Sequence, residues 1–276
     1  MEIDQYRTRV EKALQLSVAQ MGHKTVLRDA IEYSLLNGGK RLRPIIVLMI
    51  ADALGLGLDV MPAALSVEFF HTASLIADDL PCMDNDDVRR SRPSLHKAFG
   101  ENVAILASYA LIAEGYGGIY RNSSLNPNAD IAICLESATM CAGINGATGG
   151  QFLDLHPPDF SLETIKKVIY QKTVTLFEIS FVFGWIFGGG TKDALIQVKN
   201  CAYHLGMAFQ IADDLLDDKE GCSAINIASS CGKQEAIRLF EEEMSSFIIC
   251  LKQLGLWTTA FQKVVAFLEQ YRLAKM

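Results

Sequence analysis

The run LIADDLPCMDNDDVRR, at residues 75–90, places five aspartates within ten residues directly after an apolar segment. Carboxylates this close repel one another at neutral pH unless a cation or basic groups compensate their charge. An acidic cluster is often only a solvated turn. Here, however, the leading Asp-Asp pair follows an apolar run directly, and two arginines follow the last aspartate. The stretch therefore predicts a metal site at the end of a buried helix.

A second carboxylate group lies in FQIADDLLDD, at residues 209–218. On a helix, Asp213 and Asp217 are one turn apart and project from nearly the same face, and Gln210 and Asp214 flank them. Two such groups on separate helices of one bundle can face each other across a cavity. Carboxylate ligands without histidine or cysteine favour Mg²⁺, which completes its coordination with water and substrate phosphate. The inferred substrate is therefore phosphorylated.

Basic residues form two short groups, in GGKRLRP at residues 38–44 and at Arg89 and Arg90. Lys40 and Arg43 are three residues apart and are expected on one helical face, while the glycine pair lets backbone approach an anion closely. A basic helix start is commonly just a solvated surface. Together with two acidic groups, however, these residues describe a site for two anions, one held through metal and one held directly.

The composition excludes several classes of protein. A formal charge of −7 argues against a nucleic-acid binder. The longest apolar stretch, residues 173–190, is interrupted by Glu178 and ends in three glycines, so we expect no membrane span. The N-terminus lacks the compact apolar run of a secretory signal, and the seven cysteines have no metal-finger spacing, which favours reduced thiols in the cytoplasm.

Apolar residues recur at three- and four-residue spacing through most of the chain, and sustained period-two alternation is hard to find. The pattern predicts an all-α fold in which residues 1–276 form a single large helical bundle with a central cavity. Asn126 and Pro127 are expected to begin a helix, and the glycines at 188–190 to end one. The predicted helices are 4–20, 24–37, 43–54, 60–79, 101–120, 127–146, 161–187, 192–217, 233–253 and 257–273.

Five ordered motifs, spread over about residues 32 to 218, resemble those of the trans-isoprenyl diphosphate synthases (polyprenyl synthetases). They are GGKRLRP, HTASLIADDLPCMDNDDVRRSRP, GGQFLD, QKT and FQIADDLLD. The resemblance implies the isoprenoid synthase fold, a homodimer, and three Mg²⁺ ions per active site. It also implies the condensation of isopentenyl diphosphate with an allylic diphosphate (dimethylallyl, geranyl or farnesyl diphosphate).

The resemblance also assigns roles, position by position. It implies Asp78, Asp84 and Asp213 as the main Mg²⁺ ligands, with Asp79, Asp214 and Asp217 beside them. The allylic diphosphate is expected to contact Arg89, Lys172, Thr173 and Gln210, the last three also steadying the allylic cation as catalytic residues. The isopentenyl diphosphate is expected to contact Lys40, Arg43, His71 and Arg90.

Three positions depart from the family pattern. Tyr109 stands where the family has an inward carboxylate, and Ser91 stands where glycine follows the arginine pair. The segment after Asp218 is short and lacks a lysine expected on the allylic diphosphate, for which Lys219 is a candidate substitute. A catalytically weak homologue that acts as a regulatory or structural subunit is therefore the alternative, since fold alone does not guarantee activity. A class I terpene cyclase is a further alternative, although it would not need GGKRLRP.

The residues before Asp78 bear on the length of the product. Side chains one to two turns before Asp78 share its helical face and would line a tunnel for the prenyl tail. Ala73 stands five residues upstream, where farnesyl-producing relatives generally carry an aromatic ring. We therefore expect the twenty-carbon geranylgeranyl diphosphate ahead of farnesyl diphosphate, unless Phe70, Tyr109 or Phe181 closes the tunnel instead.

Overall fold

The computed structural model describes residues 2–216 and 225–273, with only the backbone of residue 273, and confirms the all-α prediction. A single short antiparallel ribbon, β1 (Val88–Arg89) with β2 (Arg92–Pro93), interrupts the helices of this described part. The helices are α1 (Ile3–Gln20), α2 (Val26–Leu35), α3 (Leu42–Leu54), α4 (Met61–Asp78), α5 (Leu95–Phe99), α6 (Glu101–Leu125), α7 (Ile131–Ala142), α8 (Ala147–Leu155), α9 (Leu162–Ile169), α10 (Thr175–Phe187), α11 (Leu195–Leu216), α12 (Ile227–Cys231), α13 (Lys233–Gln253) and α14 (Thr259–Leu273). A π-helical turn, Tyr170–Val174, joins α9 to α10, and a 3₁₀ turn, Lys192–Ala194, precedes α11.

Helix α10 forms the centre of the bundle. All of its residues from Thr175 to Phe187 are buried, and it packs against α3, α4, α7 and α11. A helix that is apolar on every side is stable only when other helices surround it. The predicted stop at residues 188–190 agrees with the end of α10 at Phe187. Because α10 continues from the π turn, it also fixes the residues of that turn relative to the core.

The prediction of one helix over residues 127–146 is wrong at both ends. Helix α7 begins after Asp130, whose carboxylate accepts hydrogen bonds from the backbone N–H groups of Ala132 and Ile133, at 3.0 and 3.4 Å. Asn126 does not cap it, because the Asn126 amide instead donates to the carbonyl oxygens of Asp59 and Phe187. The chain then turns after α7 and forms α8, which the sequence pattern did not predict.

Helix α6 is the one helix in the described residues that is long and apolar enough to cross a membrane, by length and composition alone. One side of α6 packs along α4, so part of its apolar surface belongs to the protein core. A core helix of a soluble protein passes the same test. The absence of a membrane span and the cytoplasmic location therefore stay predictions.

A buried ion pair joins the start of α3 to α4. Arg41 precedes α3 in a left-handed backbone conformation, at φ 52°, and its guanidinium contacts the Glu68 carboxylate and the Leu35 carbonyl oxygen. The two side chains of the pair are only 1% and 2% exposed. Removing one partner of such a pair leaves an uncompensated buried charge. The pair therefore fixes the GGKRLRP segment against α4.

We predict that Arg41→Met lowers the free energy of unfolding by about 3 kcal/mol or more, because the Glu68 charge then lacks its partner. Urea denaturation followed by circular dichroism measures this change. The matched control is Arg121→Met, which breaks an ion pair with Glu114 whose side chains are 49% and 33% exposed, and we expect a much smaller loss. Equal losses in both variants would contradict the prediction.

Candidate functional site

One cavity of about 530 Å³ brings together the separate motifs of the sequence. Residues from the α2–α3 connection, α4, the β1–β2 ribbon, the π turn, α11 and α14 line it. The cavity includes every residue predicted to bind substrate and two of the predicted metal ligands: Lys40, Arg43, His71, Asp78, Arg89, Arg90, Lys172, Thr173, Gln210 and Asp213. Residues more than 170 positions apart in the chain therefore meet at one concave surface.

The basic side of the cavity contains buried polar atoms without protein partners. Within the described residues, Arg43 Nε and His71 Nδ1 are buried and make no hydrogen bond. Buried polar groups are nearly always hydrogen-bonded in proteins, so orphaned ones beside a cavity indicate a ligand. Lys40 lies before α3 and not on its face, since the left-handed Arg41 separates it from the helix.

Burial sets the protonation states on this side. It lowers the pKa of Arg43 to about 10, which leaves the guanidinium charged at neutral pH. Burial together with the neighbouring guanidinium of Arg43 holds the pKa of His71 well below its ordinary value, so the imidazole is neutral. Burial also lowers the pKa of Lys40. The basic side thus presents fixed cations and a neutral imidazole.

Arg90 and the glycine pair approach each other closely. A Cβ on Gly39 would lie 2.6 Å from Cζ of Arg90, and the φ of +120° at this position strains any residue other than glycine. The Arg90 side chain donates to the Gly38 carbonyl oxygen. Arg90 and Ser91 are both left-handed, at φ 53° and 64°, which explains why glycine is the usual residue at position 91 in the family pattern. Both basic motifs therefore form one surface.

On the acidic side, Asp78 and Asp213 reach the cavity from α4 and α11. Burial raises the pKa of the Asp78 carboxyl to about 7, although the charge of Lys172 opposes the rise. The Asp213 carboxylate accepts a hydrogen bond of 2.8 Å from the Tyr271 hydroxyl. Asp84 lies next to Asp78, since its N–H donates to the Asp78 carbonyl oxygen at 2.9 Å. Two carboxylates from different helices thus face one space.

Asp79 and Asp214, by contrast, are buried and do not line the cavity. The Asp79 carboxylate accepts from the Arg89 guanidinium. The Asp214 carboxylate accepts from Gln210 Nε2 and from the Ile227 N–H, each at 2.8 Å. Their binding of metal stays a prediction, because the structure gives them protein partners.

Part of the second acidic motif lies outside the described residues. Asp217 and Asp218, and Lys219 with them, fall in residues 217–224. The predicted contact of Asp217 with metal and the predicted substitution by Lys219 therefore stay predictions.

The donor set fits Mg²⁺ shared between protein and substrate. Among residues 2–216 and 225–273, no three histidine, cysteine, aspartate or glutamate side chains form a ready-made metal cluster. Mg²⁺ does not need such a cluster, since it commonly binds one or two carboxylates and takes its remaining ligands from water and phosphate. Asp78 and Asp213, facing the same cavity as Arg89 and Lys172, suit that mode of binding.

The π turn supplies a hydrogen-bonded chain that sequence analysis missed. Thr173 Oγ1 donates to Gln210 Oε1 at 2.9 Å, and Gln210 Nε2 donates to Asp214 Oδ1. π turns inside helices are frequent at functional sites, but residue types alone do not indicate one here. These two hydrogen bonds direct the Thr173 hydroxyl proton toward Gln210, so the lone pairs of the Thr173 oxygen remain available to the cavity.

A second cavity, of about 430 Å³ and mainly apolar, adjoins the first and shares Ser74, Asp78 and Leu176 with it. Ala73 and Phe70 line it, as expected of a tunnel along α4. The expectation that Tyr109 points inward is wrong: its side chain is 66% exposed. Ser108 faces the cavity instead, and its hydroxyl donates to the Ala73 carbonyl oxygen at 3.0 Å.

Phe181 does not line this second cavity, because it packs in the core against Phe247 and Phe261. Of the three residues named as alternative tunnel floors, Phe70 is therefore the one that lines this second cavity. The Phe70 ring packs edge-on against Tyr116, with ring centroids 5.2 Å apart. The structure thus narrows the candidates for the far wall of the tunnel.

Comparisons with known proteins agree with this geometry. The family model described as polyprenyl synthetase matches residues 24–244. The chain is 41% identical to a geranylgeranyl pyrophosphate synthase, chloroplastic, of Capsicum annuum, over 70% of this chain and 53% of that protein. It is 38% identical to a heterodimeric geranylgeranyl pyrophosphate synthase large subunit 1, chloroplastic, of Arabidopsis thaliana, over 75% and 58%. The matches thus span less than two thirds of those relatives.

The same architecture occurs in a solved structure. A geranyltransferase from Legionella pneumophila superposes with a TM-score of 0.87 at 29% sequence identity, over 99% of this chain and 96% of that one.

We predict that Asp78→Asn raises the melting temperature of the metal-free protein at pH 8. The pKa of Asp78 is about 7 in the folded state and 3.8 ordinarily. Between these two pH values the folded protein binds more protons than the unfolded chain, so the free energy of unfolding falls as pH rises from about 4 to 7. Asp78→Asn has no titrating carboxyl at this position, so its free energy of unfolding does not fall in this way. Thermal unfolding in EDTA at pH 5 and pH 8 measures it, with the exposed Asp193→Asn as control. If the difference in melting temperature between pH 5 and pH 8 were the same in Asp78→Asn as in the wild type, the prediction would be contradicted.

Proposed function

The chain belongs to the polyprenyl synthetase family, and on that premise we propose that it is a Mg²⁺-dependent prenyltransferase that joins isopentenyl diphosphate to an allylic diphosphate. The observation that carries the proposal is the single cavity in which two carboxylates and two groups of cations meet. Such a surface suits two diphosphates, because each carries several negative charges that need fixed cations. The adjoining apolar cavity suits a prenyl tail.

The acidic side would bind the allylic diphosphate. A diphosphate leaves poorly unless its developing negative charge is neutralised. Arg89 and Lys172 line the cavity beside Asp78 and provide fixed positive charge. Mg²⁺ held by Asp78 and Asp213 would act as a Lewis acid toward the departing diphosphate. Burial would lower the pKa of Arg89, but its hydrogen bond with Asp79 and the charges of Asp79, Asp86 and Asp78 together raise it, so Arg89 remains a cation throughout.

Departure of the diphosphate leaves an allylic cation, which neighbouring dipoles would steady. The Thr173 hydroxyl already donates to Gln210, so the negative end of its dipole is free to face the cation. The double bond of isopentenyl diphosphate then attacks the cation, a carbon–carbon bond forms, and the released diphosphate takes the proton lost from the product. No protein nucleophile is required.

The basic side would bind isopentenyl diphosphate without metal. Lys40, Arg43 and Arg90 supply the charge there, and the half-buried His71 is neutral and can donate one hydrogen bond. The orphaned Arg43 Nε and His71 Nδ1 would gain partners when the diphosphate binds. Two diphosphates held in different ways would place the two carbon skeletons side by side.

The proposed function predicts turnover of isopentenyl and farnesyl diphosphates that requires Mg²⁺. Asp213→Ala should lower kcat at least about a hundredfold, because metal-assisted departure supplies several kcal/mol of barrier reduction. Circular dichroism should keep its helical signal, and Asp193→Ala serves as the matched control.

Full turnover in EDTA would contradict this proposal. Absence of turnover by the isolated wild-type chain would favour a regulatory subunit instead. Release of a hydrocarbon from the allylic substrate alone would favour a terpene cyclase.

We further propose geranylgeranyl diphosphate as the main product. The tail of the allylic substrate would enter the apolar cavity, where the small side chains of Ala73 and Ser108 leave space one to two turns before Asp78. Each buried methylene contributes about 0.8 kcal/mol, which favours extension as long as the cavity is open. Phe70, farther along the same cavity, would limit further growth.

We predict that Ala73→Tyr shifts the main product from twenty carbons to fifteen, because the ring fills the cavity beside Asp78. Total turnover should change little, since Ala73 does not line the cavity that holds the diphosphates. Product chromatography after incubation with isopentenyl diphosphate measures the shift. A wild-type protein that stops at fifteen carbons, or a variant with unchanged product length, would place the tunnel floor elsewhere.

We also propose that the chain forms a homodimer through the α6 face, defined by Ile105, Leu106, Tyr109 and Ile112. These four apolar side chains are 37–66% exposed and recur at helical spacing. An exposed apolar stripe of this kind marks an interaction surface, and the family resemblance implies a second copy as its occupant.

The paired change Leu106→Glu and Tyr109→Glu should halve the mass measured by light scattering, because it places four new charges in the symmetric interface. The control is Leu16→Glu on α1, which is also exposed, at 58%, and should leave the mass unchanged. A wild-type mass equal to one chain would contradict the homodimer and favour a partner of different sequence.

A further inference from the structure

Helix α8 carries the motif GGQFLD, for which the proposed reaction provides no role. The helix meets the π turn without a side chain between them: a Cβ on Gly150 would lie 2.4 Å from the backbone nitrogen of Lys172. Such a distance excludes every residue larger than glycine unless the two elements separate. The backbone of α8 is therefore held directly against the backbone that carries Lys172.

The Asp154 carboxylate lies at the end of this contact. Its Oδ2 atom is 2.5 Å from Lys172 Nζ, and the two side chains are 16% and 29% exposed. Lys172 lines the cavity with Asp78 and Arg89, but Asp154 does not. Asp154 thus holds the lysine from outside the space where the diphosphate would bind.

This pairing also affects the pKa of the lysine. Burial alone would lower the pKa of Lys172, but the charge and hydrogen bond of Asp154 and the charges of Asp78 and Asp84 together raise it. A lysine side chain is flexible, so without a fixed partner its ammonium group would sample several positions.

The same face of α8 also reaches the first acidic motif. Gln151, three residues before Asp154, donates from Nε2 to Asp84 Oδ1 at 3.2 Å. Helix α8 therefore holds two side chains of the acidic side: Lys172 of the π turn through Asp154, and Asp84, which lies next to Asp78, through Gln151.

We propose that Asp154 is a positioning residue for the transfer reaction: it acts through Lys172, which it holds toward the departing diphosphate of the allylic substrate. This inference rests on the proposed function. A carboxylate in contact with the diphosphate would repel it, whereas one behind the lysine orients a cation toward it. Preorganised cations stabilise developing charge most effectively when they do not have to reorient during the reaction.

The first measurement is the kinetics of Asp154→Asn, which keeps the size of the side chain but removes its charge. Misplacement of the ammonium group should lower kcat/KM for the allylic diphosphate about tenfold to a hundredfold. The KM for isopentenyl diphosphate, bound on the basic side, should stay within about twofold. Asp154→Glu keeps the charge and should retain more activity than Asp154→Asn. An equal rise in the KM of both substrates would overturn the proposal.

A double-mutant cycle separates positioning from a general structural effect. If Asp154 acts only through Lys172, then adding Asp154→Asn to Lys172→Met should cause no further loss of kcat/KM. Losses that multiply would show that Asp154 acts independently of the lysine and would overturn the proposal. The matched control is Glu178→Gln, which breaks a pair with Lys199 at 2.9 Å, with side chains 10% and 41% exposed, outside the cavity.

A binding measurement keeps the inference testable apart from turnover. Calorimetric titration with inorganic pyrophosphate and Mg²⁺ should give about tenfold weaker binding for Asp154→Asn than for wild type, and unchanged binding for Glu178→Gln. If the wild-type protein showed no condensation but this difference remained, the proposed function would fail and the positioning role would stand. If the wild type condensed its substrates and Asp154→Asn matched it in both assays, the inference alone would fail.

Discussion

Charge compensation in a partly buried cavity is the constraint on which the rest of the structure depends. Cations and carboxylates that face a ligand are unstable in the protein interior unless other groups hold them. Here each side of the cavity has such support. Glu68 pairs with Arg41 on the basic side, where both line the cavity, and Asp154 and Asp79 lie behind Lys172 and Arg89 on the acidic side. The helices thus place Asp154 and Asp79 behind the cations that face the ligand.

The aspartate pairs illustrate how one sequence feature performs two tasks. Consecutive residues on a helix point in directions about 100° apart, and here only the first member of each Asp-Asp pair lines the cavity. Asp78 and Asp213 face it, whereas Asp79 and Asp214 turn into the protein. Asp214 there connects Gln210 to the N–H of Ile227 at the start of α12. The second aspartate of each pair therefore fixes polar side chains of the site.

Much of the fold and of the cavity could be predicted from the sequence, because apolar spacing and ordered motifs report directly on helices and on ligands. The boundaries that failed depend on contacts between distant residues. Asn126 looked like a helix cap, but carbonyl oxygens from elsewhere in the chain take its amide. The π turn is a property of backbone packing around Gly150 and Lys172, and residue types alone do not indicate it. Tyr109 faces outward because α6 turns Ser108 toward the cavity.

In the proposed function, one cavity binds two diphosphates by different means, one through Mg²⁺ and one through side chains alone. Calorimetric titration can test it with isopentenyl diphosphate and with an unreactive thiolodiphosphate analogue of the allylic substrate, each in Mg²⁺ and in EDTA. We expect EDTA to abolish binding of the allylic analogue and to leave the affinity for isopentenyl diphosphate nearly unchanged. Equal sensitivity of both ligands to EDTA, or insensitivity of both, would contradict it.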